Sequence, residues 1–169
     1  MEIKKYIRSV KNFPKKGIGF KDISPILTNP EVFSYVIDWM SEESKEADVI
    51  VAPDARGFLF ATPVSYKIKK PFVMVRKPGK LPMETVERKY DLEYGSNTLQ
   101  MHKNSIKPGQ KVIIIDDLLA TGGTTKAIIS LIEEMGGKVI KLVFLVDLLS
   151  VAHVDGLEKY KISKLIEYN

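Results

Sequence analysis

The chain has no cysteine and only two histidines among its 169 residues. The first absence excludes disulfides, thiolate metal sites and a cysteine nucleophile. His102 and His153 lie far apart in sequence, and neither is assigned a metal or acid–base role. No run of 18 apolar residues occurs, and no apolar stretch follows a basic N-terminus, so neither a membrane span nor a signal peptide is expected. Repeats and low-complexity tracts are also missing. What is there is ordinary for a soluble globular protein: 44% hydrophobic and 28% charged residues, with a length that suits a single domain over 1–169 and a cytoplasmic setting. The net charge of +5 raises nucleic acid as a partner. The basic residues, however, are spread along the chain (Lys4-Lys5, Lys15-Lys16, Lys69-Lys70, Arg76-Lys77). No nucleic acid is expected; a subset of these cations can instead steer a polyanionic small substrate.

The rest of the chain is arranged around Val112–Gly137. Lys111-Val-Ile-Ile-Ile115 is a β-branched run too short for a helix, and it leads directly into Asp116-Asp-Leu-Leu-Ala-Thr-Gly-Gly-Thr-Thr125. This predicts a buried strand that stops at a polar loop. Beyond the loop, Ile128, Leu131, Ile132 and Met135 repeat at helical spacing, and Gly136-Gly137 stops the helix. Paired glycines flanked by hydroxyls at the start of a helix supply close backbone N–H groups, hydroxyl donors and the positive end of a helix dipole. Ala120, Thr121, Gly122, Gly123 and Thr124 therefore read as a phosphate cradle. A triphosphate loop would need a Gly-Lys-Ser/Thr ending after four intervening residues, and none is present.

Asp116 and Asp117 precede the cradle at the carboxyl end of the strand, where ligands sit in open α/β sheets. Two acids would repel a bare phosphate, so they are expected to face sugar hydroxyls or a divalent cation. A ribose 5-phosphate satisfies both halves. The plainer alternative is a solvated Asp-Asp turn with a helix N-cap at Thr121 or Thr124.

Elsewhere, Met1–Val10 suggests a short amphipathic helix, and residues 12–25, with two prolines, two glycines and two phenylalanines, a non-regular segment able to cover a flat apolar ligand. Asn29-Pro30-Glu31 opens a helix to about Glu46. Residues 48–52 and 71–75 read as buried strands, with a helix from Phe58 to about Lys67 between them that Pro63 should kink. Strands over Val139–Val146 and Ile162–Tyr168 follow, with a short helix or turn at Gly156–Tyr160. Alternating strands and helices imply an α/β fold with a central parallel sheet flanked by helices. Asp54-Ala55-Arg56-Gly57 then ends a strand, where Arg56 can hold a pyrophosphate bidentately or form a surface ion pair. Residues 76–98 are too long for an idle loop.

Val112-Ile-Ile-Ile-Asp-Asp-Leu-Leu-Ala-Thr-Gly-Gly-Thr124 resembles the phosphoribosyl pyrophosphate motif of the type I phosphoribosyltransferases, and its Leu118-Leu119 variant is similar to that of the adenine-using branch. Residues 12–28 resemble that branch's N-terminal base-binding hood, Ala55-Arg-Gly-Phe-Leu-Phe60 its pyrophosphate loop, and 76–98 its flexible catalytic loop. The resemblance implies ribose hydroxyls on Asp116 and Asp117, the 5′-phosphate on Ala120–Thr124, and pyrophosphate on Ala55, Arg56, Arg76 and Lys80. Adenine would lie between Phe20 and Leu118, its edge read by backbone groups around Gly19 and Lys21. Glu93, Arg56 and Lys80 would be catalytic, with Arg88 a further candidate for the pyrophosphate. Mg²⁺ would be held mainly by substrate, with Asp116 and Asp117 as its candidate protein ligands. It further implies a cis Asp54–Ala55 peptide and a homodimer anchored by Phe58-Leu59-Phe60. The expected reaction takes adenine and phosphoribosyl pyrophosphate to AMP and pyrophosphate in purine salvage. Transfer to hypoxanthine, guanine or xanthine, and a phosphoribosyl pyrophosphate-sensing regulator, are the alternatives; a regulator would need a DNA-reading module for which the chain has no room.

Overall fold

The structure, a computed structural model, describes residues 1–92 and 95–169. Its contacts divide the chain into two units, Met1–Trp39 and Met40–Asn169. No helix among the described residues is long and apolar enough to cross a membrane.

In the first unit, a 3₁₀ turn at Ile3–Tyr6 leads into β1 (Arg8–Lys11), which pairs antiparallel with β2 (Gly19–Asp22). The expected N-terminal helix is therefore not formed. Ten residues are too few to nucleate a stable helix alone, and Arg8–Lys11 gains a ladder partner in β2. The 12–25 segment is also more regular than expected, since it contains β2 and the start of α1 (Ser24–Leu27). Helix α2 (Pro30–Glu43) begins with proline in its first turn, as read from the sequence.

The larger unit holds a five-stranded parallel sheet. Strands β3 (Val49–Pro53), β4 (Phe72–Val75), β7 (Lys111–Leu119), β8 (Lys138–Leu148) and β9 (Ile162–Tyr168) run in the order β4-β3-β7-β8-β9. A separate antiparallel hairpin pairs β5 (Thr85–Leu92) with β6 (Gly95–His102) in register along its whole length. Helix α3 (Arg56–Ile68) links β3 to β4, and α4 (Gly123–Glu134) links β7 to β8. These crossovers leave the sheet centre in opposite directions, and right-handed connections then put the two helices on opposite faces. The point where the order reverses lies between β3 and β7, and the carboxyl ends of those strands are where such sheets bind ligands.

The core follows the pleat. Val112 and Ile114 of β7 join Val49, Val51, Leu142 and Phe144 in one cluster with Ala127, Ile128, Leu131 and Ile132 of α4; Ile113 and Ile115 point to the other face by alternation. Pro63 is accommodated inside α3. Phe60 is fully buried, so it cannot anchor an interface; Phe58 packs edge-on against Phe72 at 5.3 Å, and of the three it is Leu59 that is exposed.

Candidate active site

Strand β3 delivers Asp54-Ala55-Arg56-Gly57, with a cis Asp54–Ala55 peptide as the resemblance implies. Gly57 is constrained by space. A Cβ there would stand 2.9 Å from Pro53 Cδ, 3.1 Å from Asp116 Oδ1 and 3.2 Å from the Ile115 carbonyl. Only glycine lets the first turn of α3 lie against the end of β7. That approach brings Arg56 Nε to 3.1 Å from Asp117 Oδ2.

The acidic pair belongs to β7 itself, which runs on to Leu119, and is not in a loop beyond the strand. The ladder to β8 continues past the acids, through Leu118↔Val146 and Leu119↔Asp147, and it holds both carboxylates in place. The Asp117 N–H donates to Asp116 Oδ1 at 2.8 Å. Burial, and then the charge of Asp117, push the Asp116 carboxyl well above its ordinary range. Asp117 is 3% exposed, and its Oδ2 makes no hydrogen bond of good geometry, the Arg56 guanidinium approaching as an ion pair only. A buried acceptor in that state suits a hydroxyl donor from a ligand.

Residues 120–122 form the turn that leads from β7 into α4. Gly122 stands at φ 82° as the N-cap of α4, without a side-chain cap, and Lys126 N–H makes the first helical bond to its carbonyl at 2.9 Å. The Gly123 N–H donates to Thr121 Oγ1 at 3.4 Å, and the amides of Thr124 and Thr125 begin the helix as donors available to an anion. The two glycines have different duties. A Cβ on Gly122 would fall 2.2 Å from Leu157 Cδ1, whereas one on Gly123 would meet nothing nearer than Thr121 Oγ1 at 3.7 Å.

The basic candidates separate. Arg76 Nε binds Asp54 Oδ2 at 2.8 Å, and its Nη1 donates to the Lys80 carbonyl at 3.2 Å, so Arg76 ties the basic turn to the end of β3. Lys80 is exposed. Arg88 instead pairs with Glu134 of α4 at 2.8 Å, which commits it to holding β5 on that helix. Sequence reasoning missed Tyr90: its hydroxyl lies 3.0 Å from Thr124 Oγ1, and its ring flanks Gly123. No signal in the mixed-charge run 84–90 marks it, because the contact depends on β5 docking against α4. Glu93 lies outside the described residues.

The base-binding candidates occupy both units. Gly19, Phe20 and Lys21 lie on β2, and Phe20 packs edge-on against Phe13 at 5.0 Å. Lys21 Nζ donates to Ser9 Oγ at 2.7 Å. In a two-stranded sheet β2 keeps one unladdered edge, and backbone donors and acceptors there can read a base. Leu118, half-buried on β7, belongs to the larger unit.

A parallel sheet with a glycine turn, two fixed carboxylates and a guanidinium around its switch point is an arrangement suited to a phosphorylated sugar. Residues 22–166 match the family model described as the phosphoribosyl transferase domain, and the chain belongs to that family. It is 52% identical to the adenine phosphoribosyltransferase of Clostridium botulinum over all of this chain and 99% of that one. Its identity to that of Mycoplasmopsis pulmonis is 59%, over 88% of this chain and 87% of the relative. Among solved structures, the adenine phosphoribosyltransferase of Thermoanaerobacter pseudethanolicus superposes with a TM-score of 0.92 at 48% identity, covering 99% of this chain and 98% of that one. The Saccharomyces cerevisiae enzyme, complexed with an imino-altritol bisphosphate and adenine, superposes at 0.89 with 35% identity, covering 97% and 96%. The fold is that of the type I phosphoribosyltransferases.

Proposed function

We propose that this chain is an adenine phosphoribosyltransferase, joining adenine to phosphoribosyl pyrophosphate to give AMP and pyrophosphate. The observation that carries the reading is the start of α4, whose Gly122 N-cap makes no side-chain cap, a few residues beyond the β7 acids at the carboxyl end of the sheet. A 5′-phosphate seated on the amides of Thr124 and Thr125 places the ribose ring over Asp116 and Asp117, whose carboxylates accept from its hydroxyls. Arg56, with Arg76 and Lys80, lies on the side where the anomeric pyrophosphate departs and offsets its growing charge. Substitution then passes through an oxocarbenium-like state, which has to be kept from water; the β5–β6 hairpin is the element that covers it, with Glu93 moving a proton at the base. Phe20 and Leu118 are each candidate apolar contacts for the purine on their own unit, and the β2 backbone selects adenine over a 6-oxopurine by leaving mismatched groups unpaired.

Mg²⁺ fits this site as a substrate-borne ion. Among the described residues no group of three or more metal-ligating side chains forms, and an octahedral ion with one or two carboxylates takes its remaining ligands from phosphate oxygens and water. Bound there, it neutralises pyrophosphate charge. A second copy of the chain would pack on the outer face of α3, where Leu59 and Tyr66 are 41% and 88% exposed. Sedimentation of the wild type checks this, and a fully active monomer would dismiss it. The reaction itself is tested by pyrophosphate release with adenine, hypoxanthine, guanine and xanthine in parallel. Preference for any base but adenine would overturn the assignment.

A further inference from the structure

His153, assigned no role from the sequence, lies close behind the phosphate cradle. Asp147 of β8 is fully buried and stands beside Leu119 in the β7–β8 register. Its Oδ1 meets His153 Nε2 at 3.0 Å, and its Oδ2 meets Lys164 Nζ of β9 at 3.0 Å. A carboxylate can only accept, so Nε2 carries the shared proton. The next residue, Val154, donates its N–H to the Thr121 carbonyl at 2.7 Å. Leu157, a few residues on, is buried where its Cδ1 would lie 2.2 Å from a Cβ on Gly122. Both contacts land on the 120–124 loop, and both come from the segment that His153 fastens to the sheet.

We propose that the Asp147–His153 pair is a positioning device for the 5′-phosphate loop. It fixes the chain at 153–157, whose Val154 amide and Leu157 side chain hold Thr121 and Gly122 so that the first amides of α4 face the phosphate. The inference rests on the phosphoribosyltransferase reading above. Its effect falls on the sugar phosphate, because the contacts made by Val154 and Leu157 land on Thr121 and Gly122. Removing His153 does not strand a buried charge, since Lys164 stays on Asp147. The loss should therefore show in loop position before it shows in folding.

The test compares wild type, His153→Ala and His153→Gln, with ribose 5-phosphate titrated by calorimetry and KM measured for both substrates. His153→Ala should weaken ribose 5-phosphate binding and raise KM for phosphoribosyl pyrophosphate about 3- to 10-fold, the scale of one hydrogen bond, leaving KM for adenine and the melting temperature unchanged. His153→Gln, whose amide N–H has a similar reach, should recover most of the affinity. Unchanged ribose 5-phosphate affinity in the alanine variant would overturn the proposal. So would an equal rise in both KM values with a lower melting temperature, or a glutamine variant as weak as alanine. A wild type that binds ribose 5-phosphate yet transfers no phosphoribosyl group from phosphoribosyl pyrophosphate to any purine sinks the enzymatic assignment alone, and calorimetry still decides the role of His153. A wild type that binds no ribose 5-phosphate removes both.

Discussion

Strands β7 and β5 carry the two halves of the proposed site and are built in opposite ways. β7 has a strand on either side, and Val112–Ile115 are buried on both faces. β5 has only β6 for a partner and is largely exposed; it is held to α4 by the Tyr90–Thr124 and Arg88–Glu134 contacts. Groups that must stand in place before substrate arrives are on the strand that cannot shift without breaking the core. Groups proposed to cover the substrate are on a hairpin whose polar links are each worth about 1 kcal/mol or less. Substitutions on the two should therefore fail differently: on β7 and its loop in the fold as well as in substrate affinity, on β5–β6 in turnover or KM with the fold intact.

The largest effect is expected from Glu93→Gln, which keeps the side-chain shape but removes the exchangeable proton. Turnover should fall about 10²- to 10⁴-fold with an unchanged melting curve. If rapid quench shows near-normal chemistry in a destabilised variant, Glu93 is instead a structural ion-pair partner. Next come the paired glycines. Gly122→Val combines a left-handed φ with a clash against Leu157 and should cost about 3 kcal/mol in urea unfolding. Gly123→Val should keep the fold and lose phosphoribosyl pyrophosphate affinity, because its side chain would enter the anion's place. Equal unfolding midpoints for the two would erase the distinction.

Asp116 sharpens the comparison from the side of β7. Its folded-state pKa lies above the ordinary 3.8, chiefly through burial, so the folded protein binds this proton more tightly than the unfolded chain. Stability is unaffected below pH 3.8, falls as pH rises from there to the raised value, and then stays lowered. Asp116→Asn should abolish that fall and raise the melting temperature at neutral pH while reducing activity. Melting curves across pH that match the wild type would argue against a buried, destabilising carboxyl. The smallest effect is expected at Tyr90→Phe: losing one hydrogen bond to Thr124 should change KM for phosphoribosyl pyrophosphate about 2- to 10-fold, and no change would mean that the hairpin contact is incidental to phosphate binding.

Local signals were strong where one element decides its own structure. The β-branched run at 112–115, the helical spacing of Ile128, Leu131, Ile132 and Met135, and the glycine pair between them each specify strand, helix and cradle within a dozen residues. Signals failed where a partner decides. Met1–Val10 carries a helical pattern, but its second half pairs with β2. The acids read as the carboxyl end of the strand, and it is β8 beside them that carries the strand on to Leu119. Arg88 reads as a pyrophosphate ligand until Glu134, 46 residues away, claims it.

By itself, then, the chain's order of residues determined the alternating strands and helices, the anion cradle and the identity of the acids beside it, because periodicity, glycine placement and helix-terminal chemistry act over a few neighbouring residues. Only the tertiary structure decided the rest. It set β3 beside β7 so that Arg56 meets Asp117, chose Gly122 over Gly123 as the glycine that packing demands, and brought Tyr90, Asp147 and His153 around a loop to which no spacing in the sequence connects them. Those contacts join residues tens of positions apart, and they exist only once burial of the sheet has fixed which strands are neighbours.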